Sequence, residues 1–81
     1  MGDHLLGSRK RTAVDIENIF TYHSPRPDQI PKYEAIRAAA KNLGKVIVEN
    51  TPPSADQTAA VRLLRESVMT ANAAIALDGQ L

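Results

Sequence analysis

Two proline clusters decide what this chain can fold into. Pro25 and Pro27 stand in the run Ser24-Pro25-Arg26-Pro27, and Pro52-Pro53 follows Thr51. A proline fixes its own φ, lacks an N–H donor and pushes the residue before it out of the α region. Neither cluster fits inside a helix, so Thr21 to Pro27 reads as a stiff, extended connector. Between the clusters lie residues 28 to 50, with apolar or aromatic side chains at Ile30, Tyr33, Ile36, Ala40, Leu43 and Ile47. Steps of three and four place these in one stripe along a helix. Pro31 falls in the first turn, where a missing N–H costs nothing, and Asp28 is positioned to cap the start. Lys32, Glu34, Arg37, Lys41 and Lys45 take the opposite face.

The second cluster opens another helix. Ser54-Ala55-Asp56-Gln57 has the capping-box pattern, in which Ser54 bonds the third helical N–H and Gln57 reaches back. From about Ala55 to Leu77, Val61, Leu64, Val68, Ala71 and Ile75 repeat the same spacing, and Leu63 and Met69 widen the stripe. Two helices of matched length joined by a short turn lie antiparallel. Alanines at 38–40 and at 71, 73, 74 and 76 permit close approach, and Gly79 is the expected helix stop. Lys45-Val46-Ile47-Val48 is β-branched but continues the helical stripe, so no strand of useful length is expected.

Ahead of the first proline cluster, Thr12 can cap a two-turn helix over residues 12–20 carrying Val14, Ile16, Ile19 and Phe20. So short a helix is not stable alone and must dock on the hairpin or on a neighbouring copy. Phe20 and Tyr33 read as core. Residues 1–11, ending in Arg9-Lys10-Arg11, read as a flexible basic arm ahead of a single domain over 12–81. The expected fold is therefore all-α: an antiparallel helical hairpin with a short N-terminal helix. At 81 residues such a hairpin leaves much of each helix uncovered, so assembly into a homo-oligomer is expected.

Composition narrows the function. There is no cysteine, so neither disulfides nor a thiolate metal site supply stability. No apolar run is long enough for a membrane span, and no signal-peptide pattern is present. A formal net charge of +1 argues against a dedicated binder of long nucleic acid, where many phosphates are neutralised at once. It suits a small anionic ligand held by a few local cations. His4 and His23 have no metal-ligand spacing, no Ser or Cys nucleophile is paired with a base, and the four glycines form no phosphate loop. No catalytic residue, metal ligand or cofactor is implied, and a non-enzyme is expected.

Two residues carry possible binding chemistry. Tyr22, beside the proline-stiffened turn, either presents its ring to a base or packs on the hairpin. Arg37, one turn from Tyr33 and Lys41, either holds a phosphate in two-point fashion or pairs with Glu34. Arg62 and Arg65 carry the same ambiguity.

The strings Phe20-Thr21-Tyr22-His23-Ser24-Pro25-Arg26-Pro27-Asp28-Gln29-Ile30, Lys32-Tyr33-Glu34-Ala35-Ile36-Arg37 and Val68-Met69-Thr70-Ala71-Asn72-Ala73-Ala74-Ile75-Ala76 are more specific than any spacing. They resemble the small phage anti-CBASS proteins that act as cyclic-nucleotide sponges, over roughly Ile19 to Leu77. The resemblance implies a hairpin with a short extra helix, assembled as a homohexamer. It implies capture, without cleavage, of cyclic dinucleotides such as 3′,3′-cGAMP between protomers, in the cytoplasm of the infected bacterial host. By match, Tyr22 stacks on a base and Arg37 contacts phosphate. With their neighbours His23 and Lys41, these form the candidate ligand-binding set. Some relatives also take cyclic trinucleotides and carry a basic residue just after the Ala-Asn-Ala-Ala-Ile-Ala string. This chain has Leu77-Asp78 there, which puts a trinucleotide site in doubt. Two other readings stand beside this one: a helical assembly module with a protein partner and no nucleotide, and a weak nucleic-acid binder using the Arg9-Lys10-Arg11 arm.

Overall fold

Each helix begins where the chain offers acceptors to its first free N–H groups, but the three starts differ. The computed structural model describes residues 12–78, so the basic arm and the stop at Gly79 lie outside the described residues. The elements are α1 (Ala13–Phe20), α2 (Ile30–Asn50) and α3 (Ala55–Leu77). At α1 the Thr12 hydroxyl accepts from the Asp15 N–H at 3.2 Å, and the Asp15 carboxylate accepts from the Thr12 N–H at 3.1 Å, a complete capping box. At α3 the Ser54 hydroxyl accepts from the Gln57 N–H at 3.1 Å. The Gln57 amide does not reach back to Ser54. It donates instead to the Thr51 carbonyl and hydroxyl, both at 3.0 Å, and so ties the interhelical turn together.

Asp28 does not cap α2. The chain already turns over residues 27–29, where the Gln29 N–H donates to the Arg26 carbonyl at 2.9 Å, and Gln29, in the αR region, is the N-cap. The Asp28 carboxylate is taken by the Arg26 guanidinium at 3.2 Å. That contact holds the Asp28 carboxyl below its ordinary value and raises Arg26 in turn.

The hairpin is antiparallel. Gln29 reaches Ile75, Gly44 lies beside Leu64, and Gln57 reaches Val48, so partners rise along one helix as they fall along the other. At a rise of about 1.5 Å per residue each helix is roughly 30 Å long, and the two run side by side. The seam is half-buried: Tyr33, Ile36, Ala40, Gly44 and Ile47 on α2 meet Ala60, Leu64, Val68, Ala71 and Ile75 on α3. Ile30 and Leu43, expected in the stripe, are 45% and 47% exposed. The seam passes through Gly44 instead, because one residue moves a side chain about 100° round a helix.

The same rotation corrects the expectation for Phe20. Ile19 turns towards Met69 and Ala73 of α3, and Phe20, the next residue, is left 81% exposed. Tyr33 is half-buried, as a seam residue should be. No apolar side chain among the described residues is fully buried, and the one buried residue is polar: Gln29, at 3%. Val14, Leu63 and Met69 also stay largely in water.

Candidate functional site

The connector between α1 and α2 presents Tyr22, and it is pinned on both sides. At its start the Thr21 hydroxyl donates to the Glu17 carbonyl at 2.6 Å, and His23 Nε2 lies 2.9 Å from the Asn18 carbonyl. A carbonyl only accepts, so His23 donates through Nε2 and its ring is a brace for the connector. At its far end the Arg26 N–H donates to Gln29 Oε1 at 3.0 Å. Pro25 and Pro27 stiffen what lies between. The Tyr22 ring, 81% exposed, thus stands on a short span with little freedom to lose on binding.

Beside the Tyr22 ring is an open cavity of about 380 Å³. Ile19, His23, Tyr33, Met69, Asn72 and Leu77 are among its walls, and no lysine, arginine or carboxylate lines it. Its chemistry is that of a flat apolar slot with a polar spot. Asn72, one of its walls, has its Oδ1 buried without a hydrogen-bond partner.

The cations lie next door. Arg37 lines a groove of about 320 Å³ with Ala40, Lys41, Gly44, Leu64, Arg65 and Met69. On its other flank it lines a depression of about 250 Å³ with Pro25, Ile30, Tyr33 and Glu34. Neither Arg37, Lys41 nor Arg65 forms an ion pair among the described residues, so the expected rival pairing of Arg37 with Glu34 is not made. Arg62 does pair, with Glu66 at 3.4 Å one turn on. The two arginines of α3 therefore separate: Arg62 is a surface partner and Arg65 a groove cation. The signal in the sequence was the glutamate four residues after Arg62, with none so placed for Arg65.

Of the four candidate residues, the structure brings Tyr22 together with His23, and Arg37 together with Lys41. It does not bring the two pairs into one cavity. Tyr33 borders both the Tyr22 slot and the Arg37 depression, and Met69 borders both the slot and the cationic groove. The Tyr22 slot and the groove bordered by Arg37, Lys41 and Arg65 therefore adjoin, sharing Met69 as a common wall. Gln29, between them and the end of α3, was missed by sequence reasoning. It belongs to no apolar stripe, and its partners are backbone groups that no side-chain pattern announces.

Among the described residues no group of His, Cys, Asp or Glu is placed to hold a metal ion, and no helix is long and apolar enough to cross a membrane. The family model described as Acb2/Tad1, hairpin domain, matches residues 12–76, which takes in all three helices up to the last turn of α3. No curated protein and no solved structure matches the chain.

Proposed function

The chain belongs to the Acb2/Tad1 hairpin family, a family of anti-CBASS cyclic-nucleotide sponges, and from that premise we propose that it sequesters cyclic dinucleotides of the 3′,3′-cGAMP type without cleaving them. The observation that carries the reading is the Tyr22 ring, exposed on a doubly pinned connector above an uncharged slot, with unpaired cations one wall away. Such a ligand has two bases and two phosphates in one ring. One Tyr22 per base and one Arg37 per phosphate suit its approximate two-fold symmetry.

One hairpin does not enclose that ligand. Two copies related by a two-fold axis offer the same patch twice. Tyr22 of one copy and Arg37 of the other then close on the ligand from opposite sides. The wet apolar surface of the chain supports assembly, and a hexamer built from such pairs is the arrangement we infer. His23 braces Tyr22, and Lys41 adds a second cation beside Arg37. Leu77 and Asp78 offer no cation for a trinucleotide site. The setting we infer is the cytoplasm of a bacterium infected by a phage that carries the protein. Competition with a signalling receptor calls for nanomolar binding, about 12 kcal/mol. Two stacked bases and two desolvated charge-assisted contacts give a base for that in a preformed site.

Titration calorimetry with 3′,3′-cGAMP tests the reading. We expect tight binding at no more than one ligand per two chains, and intact ligand on chromatography after heat release. No heat at micromolar protein overturns the sponge reading in favour of an assembly module, and linear products overturn capture without cleavage.

A further inference from the structure

Among the described residues the one buried residue, Gln29, is polar and lines neither the slot nor the cationic groove. Gln29 Oε1 accepts the Arg26 N–H at 3.0 Å, and Gln29 Nε2 donates to the Ile75 carbonyl at 2.9 Å. Each half of the amide thus holds a different part of the chain. One holds the end of the Tyr22 connector, and the other holds the last turn of α3, 46 residues away. Ile75 directly precedes Ala76 and Leu77, which line the slot together with Thr21, Tyr22 and His23 of the connector. Around the amide, Arg26 also bridges Asp28 and Asp78, at 3.2 and 3.3 Å, but those side chains are more than half exposed. Exposed pairs of that kind hold little on their own. A buried amide with both ends satisfied is costly to disturb and specifies one geometry.

We propose that Gln29 is a positioning residue for nucleotide capture: its buried amide fixes the Tyr22 connector to the end of α3 and so sets the width of the slot between Tyr22 and the Ala76–Leu77 wall. This rests on the reading of the slot as the base site. Gln29 touches no ligand. It acts by removing the freedom of the span that carries Tyr22, so that the ring need not be ordered during binding.

Gln29→Glu separates this from a general contribution to folding. An ionised glutamate only accepts, so it holds the Arg26 N–H but faces the Ile75 carbonyl with a second oxygen. A protonated glutamate accepts on one oxygen and donates from the other, and so restores both bonds. The charged and titratable groups around it are Arg26, Lys32, Asp28 and Asp78. Affinity for 3′,3′-cGAMP is measured for the full chain at pH 7.5 and pH 5, with circular dichroism and size-exclusion chromatography under both conditions. The ratio of variant to wild type cancels any pH dependence that the two share. We expect Gln29→Glu to bind about tenfold or more weakly at pH 7.5 and to recover most of that at pH 5, with helix content and assembly size unchanged. Gln29→Met, an apolar chain of similar length, should stay folded and bind weakly at both pH values. Equal affinity of Gln29→Met and wild type, or an affinity ratio for Gln29→Glu that ignores pH, overturns the proposal. Failure of the wild type to bind overturns the sponge reading instead. Hydrogen exchange at the Arg26 amide then still decides the latch: protection lost in Gln29→Met supports it, and an unprotected wild-type amide overturns it.

Discussion

Gly44 is the place to test the packing of the hairpin. It lies within α2 and on the seam, where glycine is about 0.8–1.0 kcal/mol less favourable than alanine. A Cβ built at Gly44 would sit 3.8 Å from Leu64 Cδ2, an ordinary van der Waals contact, so alanine fits without moving either helix. The gain of propensity and the loss of unfolded-chain freedom point the same way. Gly44→Ala should therefore stabilise the fold by roughly 1 kcal/mol, which for a domain of this size raises Tm by about 4–8 °C. The assay is thermal unfolding by circular dichroism, with both proteins at one concentration, because the proposed assembly would make Tm depend on concentration. Gly44 also lines the cationic groove, so the same variant reports on what fills that groove. A fall in Tm would refute the reasoning, since it would mean that a surface lies closer to Gly44 than the 3.8 Å to Leu64 allows.

Three further outcomes follow from the site and its surroundings. Tyr22→Ala should weaken 3′,3′-cGAMP binding by about 1–3 kcal/mol per stacked base, as read by calorimetry, while Tyr22→Phe keeps most of the affinity; the exposed ring predicts an unchanged Tm for both. Arg37→Ala should weaken binding strongly with the oligomer intact on size-exclusion chromatography, and Arg37→Lys should recover only part, because an ammonium replaces a two-point contact with a point charge. The Asp28 carboxyl is held low by Arg26, so its contribution is present above the ordinary carboxylate value of 3.8 and is lost as pH falls through its lower, folded value. An NMR titration of the Asp28 carboxyl carbon should give a midpoint below 3.8, and Arg26→Ala should move it upward.

The helices themselves were legible because proline, periodicity and caps all act within a few residues. Thr12 with Asp15, and Ser54 with the Gln57 N–H, are local bonds that a short window of sequence shows. What was not legible depends on rotation and on distance along the chain. The choice of Gly44 over Leu43 for the seam turns on one residue's rotation, which the three-and-four pattern does not resolve. Phe20 reads as core by type, but α1 is two turns long and can offer only one face, which Ile19 occupies. Gln57 fits the capping box by spacing, yet the Thr51 carbonyl and hydroxyl lie within its reach and take its amide. Gln29 was invisible because its worth lies in two backbone groups brought together by the hairpin. Of the candidate site, the types of group were legible, an aromatic and a set of cations. Their division between two adjoining cavities was not.

The antiparallel hairpin has an electrostatic consequence for how an anion can be held. The Gln29–Ile75 bond places the start of α2 beside the end of α3. The partial positive pole of one helix therefore lies against the partial negative pole of the other, and their fields oppose each other at that end of the hairpin. Tyr22 itself follows the negative, C-terminal end of α1, so no helix pole there attracts phosphate. On the proposed reading, anion capture then falls to guanidinium and ammonium groups, which would make it sensitive to ionic strength and unforgiving of any loss among Arg37, Lys41 and Arg65.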